Sequence, residues 1–337
     1  MDRSVPRYLQ GPLRLTLLLL LLVALAAPAA ATPGLALRDG VVVDADRALA
    51  YVMQPTGGIA AIDLELGSVV WSNDQAARPL AVVNGLLLAQ AEGQPGKGLR
   101  LLTLDPEAGG KAGLAAEVAL PAGMHNVIND GLNGSLRVSA VPSKGGALIA
   151  WKATQNAPQA MIPGPQDGQT PGTAAATLPG KSRAARVLEG VSQLDLGSGA
   201  THAVLAKSAI QAPGSLRELL GADRLDGVAG RQFLSVDGRH VLASSRLEKP
   251  KPLATYRWKL YERSSGQLLG GFVHSASAAP FMVIGKQVIF EARATLRAGE
   301  GAWQATPLEL RAINLLSGTP IWKVAVRDTS FQGPFPH

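Results

Sequence analysis

Short apolar runs alternate with turn-forming residues along most of this chain, and the runs come in pairs. Paired runs occupy 39–54, 79–92, 135–154, 232–246 and 281–294. Their breaks read Asp44-Ala45-Asp46, Asn84-Gly85, Ser143-Lys144-Gly145-Gly146, Asp237-Gly238-Arg239 and Gly285-Lys286. Asn-Gly and Asp-Gly between apolar runs are the strongest short-range hairpin signal, because both residues accept the positive φ of a tight reversal. Each pair therefore predicts a β-hairpin.

A second hairpin follows each of the first, and it repeats. Ala61-Ile62-Asp63-Leu64-Glu65-Leu66-Gly67-Ser68-Val69-Val70-Trp71 aligns without a gap on Ala312-Ile313-Asn314-Leu315-Leu316-Ser317-Gly318-Thr319-Pro320-Ile321-Trp322. Three weaker copies keep the polar residue and the glycine four apart: Asp105 with Gly109, Asp195 with Gly199, and Glu262 with Gly266. The polar side chain ends one strand and accepts turn N–H groups. The glycine lets the chain reverse, and the Trp returns on the next strand as a large apolar wedge. Two hairpins make a four-stranded antiparallel unit, and five units follow one another. The 42 residues from Asp63 to Asp105 are a usual repeat length for propeller blades, and the longer intervals imply insertions. One insertion is 155–182, rich in Pro, Gly and Gln and without helical or strand period. Residues 213–226, with Ser215 as N-cap, predict a short helical linker.

The repeat Ala61 to Trp71, with its partner Ala312 to Trp322, resembles that of the PQQ-type (quinoprotein-like) β-propellers, roughly Ala-x-Asp-x-x-Thr-Gly-x-x-x-Trp. Asn314 and Ser317 stand for the Asp and Thr in the second copy. The resemblance implies an all-β propeller of four-stranded antiparallel blades round an axis, the Trp docked between neighbouring blades. Five blades are recognisable, with six or seven if degenerate units are hidden; 155–230 has room for one. The family spans quinone-dependent dehydrogenases and non-catalytic scaffolds, such as the propeller lipoprotein of the outer-membrane protein assembly machine, so the repeat implies a fold before a function. The dehydrogenases are generally eight-bladed and longer, and some use a vicinal Cys pair. This chain has no cysteine, and so lacks both that pair and the lipoprotein's anchor. It shows no Glu/Asn/Asp calcium constellation. The expectation is the non-catalytic branch without cofactor; the alternative is a PQQ-dependent oxidoreductase with calcium.

The N-terminus sets location. Arg3, Arg7 and Arg14 precede an apolar stretch with unbroken leucine from Leu17 to Leu22, then Pro28 and Ala29-Ala30-Ala31. That order is a secretory signal peptide over 1–31, cut after Ala31, leaving 32–337 as a single exported propeller domain. The alternative is an uncleaved anchor, and only then would the protein be held at a membrane. The expected place is periplasmic or extracellular in a bacterium, as a monomer.

Composition narrows the chemistry. Apolar residues at 47% and charged residues at 17% exclude a disordered chain. Losing three Arg and one Asp with the signal takes the net charge from +7 to +5, too diffuse and too poor in aromatics (4%) for nucleic-acid binding. His125, His202, His240, His274 and His337 show no metal spacing, and no nucleophile elbow or phosphate loop is present. His125, Asn126, Asn129, Asp130 and Asn133 crowd one stretch. They read as a blade-end binding loop rich in oxygen ligands, or as an inter-blade turn made of turn-forming residues. Arg246, Lys249, Lys251, Arg257, Lys259 and Arg263 surround Tyr256, Trp258 and Leu260, and alternation sends Arg257 and Lys259 to the opposite face from the aromatics. That strand offers a surface for acidic head groups or a partner, or a plain solvated face guarded by charge and proline. The function expected is an exported binding scaffold for an unidentified protein or small ligand.

Overall fold

The computed structural model describes residues 35–38, 40–92, 98–121, 134–155, 186–204, 224–247, 255–274, 280–292, 296–299, 302–305 and 308–327. Among them every regular element is a β-strand. Blade 1 comprises β1 (Leu35–Arg38), β2 (Val41–Asp44), β3 (Leu49–Met53), β4 (Ile59–Asp63) and β5 (Val69–Asn73). Blade 2 comprises β6 (Ala76–Val83), β7 (Leu86–Ala91), β8 (Gly98–Asp105) and β9 (Lys111–Ala119). Blade 3 follows with β10 (Gly134–Ser143), β11 (Gly146–Gln155), β12 (Arg186–Asp195) and β13 (Thr201–Val204). Blade 4 has β14 (Arg231–Leu234), β15 (His240–Arg246), β16 (Tyr256–Glu262) and β17 (Leu268–His274). Blade 5 begins with β18 (Phe281–Ile284) and β19 (Gln287–Ala292), continues through a separate ribbon of β20 (Leu296–Gly299) and β21 (Ala302–Ala305), and ends with β22 (Glu309–Asn314) and β23 (Pro320–Ala325).

Each blade is an antiparallel meander in chain order, as the paired apolar runs predict, and the whole is an all-β propeller with five blades among the described residues. β1 was not in that pattern: it adds a fifth strand beside β2. The Asn84-Gly85 reversal has φ of +51° and +80°, the geometry for which that dipeptide is suited. The expected signal segment 1–31 lies outside the described residues, and so does the expected insertion 155–182 apart from Gln155, which is the last residue of β11. The expected linker helix is outside them too over 213–223, and 224–226 are not helical.

The strands read as apolar runs because both faces of most blades are covered. In β4, Ile59 and Ala61 pack toward blade 2, while Ala60 and Ile62 pack toward blade 5. Four core clusters fill four seams. Tyr51, Trp71 and Leu104 belong to blades 1 and 2, and Leu101, Ile149 and Trp151 to blades 2 and 3. Trp258, Phe272 and Phe290 join blades 4 and 5, and Ile62, Leu310 and Trp322 join blades 5 and 1. The first and last blades are therefore neighbours. No core cluster among the described residues joins blades 3 and 4.

Candidate functional site

The repeated turn residues hold the hairpins shut. Asp63 Oδ1 accepts the N–H groups of Glu65 (2.7 Å) and Leu66 (2.8 Å). Asp105 does the same for Glu107 and Ala108, Asp195 for Gly197 and Ser198, and Asn314 for Leu316 and Ser317. Glu262 is one methylene longer, and its carboxylate instead takes the Ser265 hydroxyl at 2.5 Å. The next residue ties each turn to the blade's first hairpin: Leu64 N–H donates to Ala48 O, Leu196 to Gly145, Arg263 to Arg239 and Leu315 to Lys286. In blade 2 that position is Pro106, which has no N–H to give. The two turns at this end of a blade are thus bonded to each other in blades 1, 3, 4 and 5.

Asp195 adds a titration. The Ser198 N–H, the Ser198 hydroxyl and the Gly197 N–H hold its carboxyl below the ordinary aspartate value of 3.8. A depressed folded-state pKa contributes stability that is present above that value and is lost as pH falls through the folded pKa. Asp195→Asn keeps the turn, as Asn314 does, and removes the titrating group. Its melting temperature is expected to fall less steeply than that of the parent as pH is lowered from about 4, measured by scanning calorimetry across acid buffers.

The fourth-strand residue facing the following blade seals the seam. Trp322 lies on Gly67 of blade 1, and its Nε1–H donates to Leu64 O at 2.8 Å. Trp71 lies on Gly110 of blade 2. At Gly67 (φ +69°) and Gly110 (φ +77°) a Cβ would fall inside the indole. Gly110, next to the expected Gly109, is the residue covered, because this turn is one residue longer. Leu114 takes the Trp place against Gly199, and Gly270 lets the backbone of blade 4 approach Leu315 directly. Gly318 meets Gly271 and Phe272. With Gly110 counted in place of Gly109, Gly266 is the one of the five turn glycines with open space where the others meet a neighbouring blade.

Polar ties reinforce the sealed seams. Arg38 pairs with Glu291 (2.9 Å) across blades 1 and 5, both side chains largely buried. Arg47 bridges Asp44 and Glu107 (3.1 Å each) between blades 1 and 2. Burial, with the Asp44 carboxylate alongside, pushes the Tyr51 phenol well above its ordinary range, so its hydroxyl stays protonated and donates to Asp44 at 3.4 Å. Across blades 4 and 5, Arg311 contacts His274 Nε2 at 2.6 Å and is held by Glu309.

The lining changes between blades 3 and 4, on both sides. Third-strand positions facing the preceding blade are Ala60 and Ile62 in blade 1 and Leu102 and Leu104 in blade 2, all buried. In blade 4 they are Lys259, exposed, and Tyr261, half-buried, with Arg257 exposed beyond. Positions facing the following blade are buried in blade 4 (Trp258, Leu260) and blade 5 (Leu310, Ala312). In blade 3 they are Val191 and Gln193, both half-buried. β13 pairs with β12 without the bulge of the Trp blades, so exposed His202 stands opposite Gln193 in the place of the wedge. Val187, Val204, Leu268 and Val273 on these faces are 36–54% exposed.

The two faces of β16 divide as alternation predicts, with Trp258 and Leu260 buried and Tyr256 packed against them. Lys249 and Lys251 lie outside the described residues. So does the polar stretch holding His125, Asn126, Asn129, Asp130 and Asn133. Among the described residues, no group of three His, Asp or Glu side chains is arranged to hold a metal ion. Of the sealing glycines, Gly67, Gly199 and Gly318 belong to the repeat read from sequence, whereas Gly110 and Gly270 do not; the changed seam is visible in the sequence only when the five third strands are aligned on their polar turn residue.

No family model matches the chain, and no curated protein does. Solved structures match at low similarity. The Dos1 propeller is 10% identical, over 84% of this chain and 56% of that one, with a TM-score of 0.26. Quinohemoprotein alcohol dehydrogenase ADHIIG from Pseudomonas putida HK5 is 12% identical, over 85% and 58%, with a TM-score of 0.23. Kluyveromyces lactis Hsv2 is 9% identical, over 85% and 81%, with a TM-score of 0.27. The chain thus spans little more than half of the first two of these.

Proposed function

We propose that this chain is an exported, non-enzymatic propeller of the PQQ-like repeat type that serves as a binding scaffold in the cell envelope. The observation that supports the reading is that, among the described residues, no core cluster joins blades 3 and 4, whereas each of the other four pairs of neighbouring blades shares one. A rigid frame with one exposed, chemically mixed surface suits recognition. The leader-like 1–31 supports export, and the repeat supports the family.

The test is calorimetric titration of PQQ with calcium into the purified protein, beside an assay for alcohol or sugar oxidation with an artificial electron acceptor. The scaffold reading expects no saturable heat and no turnover. One-to-one binding at micromolar affinity or tighter, with turnover, would overturn it in favour of the oxidoreductase.

A further inference from the structure

We infer that His274 makes the seam between blades 4 and 5 acid-sensitive: neutral, it ties the two blades together, and on taking a proton it releases them at that end. Arg311 Nη1 lies 2.6 Å from His274 Nε2. A guanidinium has N–H donors and no acceptor. The Nε2 atom must therefore accept, which puts the ring proton on Nδ1 and leaves the imidazole uncharged. Beside this bond, Arg311 Nε donates to Glu309 Oε2 at 2.7 Å, and Lys323 Nζ reaches Glu309 Oε1 at 3.3 Å. The ring also stands edge-on to buried Phe290, with 5.2 Å between centroids.

The groups turned toward this ring decide what a proton does. From blade 5, β22 supplies Glu309 and Arg311, and β23 supplies Lys323. β18 and the Phe290 face of β19 carry no titratable side chain, and Glu291 turns the other way, to Arg38. From blade 4, Tyr256 stands opposite His274, and Arg246 opposite Tyr256. Arg231, on the neighbouring row, lies over Phe233. Arg257 and Lys259 occupy the other face. Among the described residues, the cations Arg231, Arg246, Arg311 and Lys323 thus surround the single carboxylate of Glu309. A proton on His274 Nε2 turns the bond into a contact between two cations, while Glu309 is already shared. The other described histidines differ. His240 Nδ1 lies 4.0 Å from Asp237 Oδ1, and His202 acts on the Asp195 carboxylate, so each has an anion to meet its proton.

The unfolded chain takes up this proton at about pH 6.5, and the folded seam resists it. The stability supplied by the neutral ring is therefore present above that pH. It is lost as pH falls below it, because the unfolded state then binds the extra proton. His274→Gln keeps an acceptor for Arg311 and cannot titrate. The test is urea unfolding of the parent and this variant at pH values from about 7.5 down to about 5. The folding equilibrium constant of the parent is expected to fall further than the variant's, by up to about thirtyfold at the acid end, about 1.5 units below the free histidine value. Asp195 and the other histidines are common to both proteins and cancel. Parallel profiles, or a steeper fall in the variant, overturn the assignment. Should His274→Gln fail to fold, an NMR titration of the assigned His274 imidazole in the parent carries the test. A midpoint below about pH 6.5 is expected, and one at or above it overturns the assignment.

Discussion

Trp322→Ala is expected to destabilise the propeller by about 3–5 kcal/mol, the usual cost of deleting a buried aromatic side chain. The indole is 8% exposed, rests on Gly67, and donates its N–H to Leu64 O. Its removal therefore leaves a void and an unpaired carbonyl in the seam that joins the last blade to the first. Trp71 is equally buried and packs on Gly110, but its indole nitrogen has no acceptor among the described residues. Trp71→Ala should accordingly cost less than Trp322→Ala. Trp322→Phe isolates the lost hydrogen bond, at about 1 kcal/mol plus whatever the smaller ring fails to fill. Urea unfolding of the three variants checks the order, and a Trp71→Ala loss equal to or above that of Trp322→Ala would contradict it.

The second large effect is expected at Glu291. Its carboxylate is buried in blade 5 and meets the Arg38 guanidinium at 2.9 Å from the added fifth strand of blade 1. Glu291→Ala removes the anion facing a largely buried cation, and such removals cost about 3–5 kcal/mol. Arg38→Leu combined with Glu291→Leu takes away both charges, and apolar replacements of buried pairs are often near neutral. The double variant should therefore be more stable than Glu291→Ala alone. Equal stabilities would mean that the pair contributes through its other neighbours.

Sequence pattern carries the repeat because the repeat is local. Asp195 and Gly199, or Asn314 and Gly318, close a turn using atoms within five residues, so spacing alone reveals them. Pro106 is legible only with the fold in hand: the N–H it lacks is one that four other blades donate to their first hairpin. Leu35–Arg38 and the β20–β21 ribbon are not legible in the sequence because four residues are too few to display a period. The identity of the glycine beneath Trp71 was hidden for another reason. Gly109 and Gly110 are adjacent, and only the register of the neighbouring blade selects the second. Alternation correctly split Trp258 from Lys259, but it could not say what Lys259 faced, since that depends on a blade built from residues more than fifty positions earlier.

The tie between Trp322 and Leu64 spans 258 residues. Contacts of such sequence separation carry the largest loop-closure entropy and form late. On a growing chain, blades 1 to 3 emerge with two of their seams able to pack at once. The face of blade 1 that bears Val41, Ala50 and Ile62 must wait for β22 and β23. For most of synthesis the nascent protein therefore exposes an apolar sheet face that the finished one hides. The clasp between the chain's two ends makes the last step of folding also the one that ends its aggregation hazard.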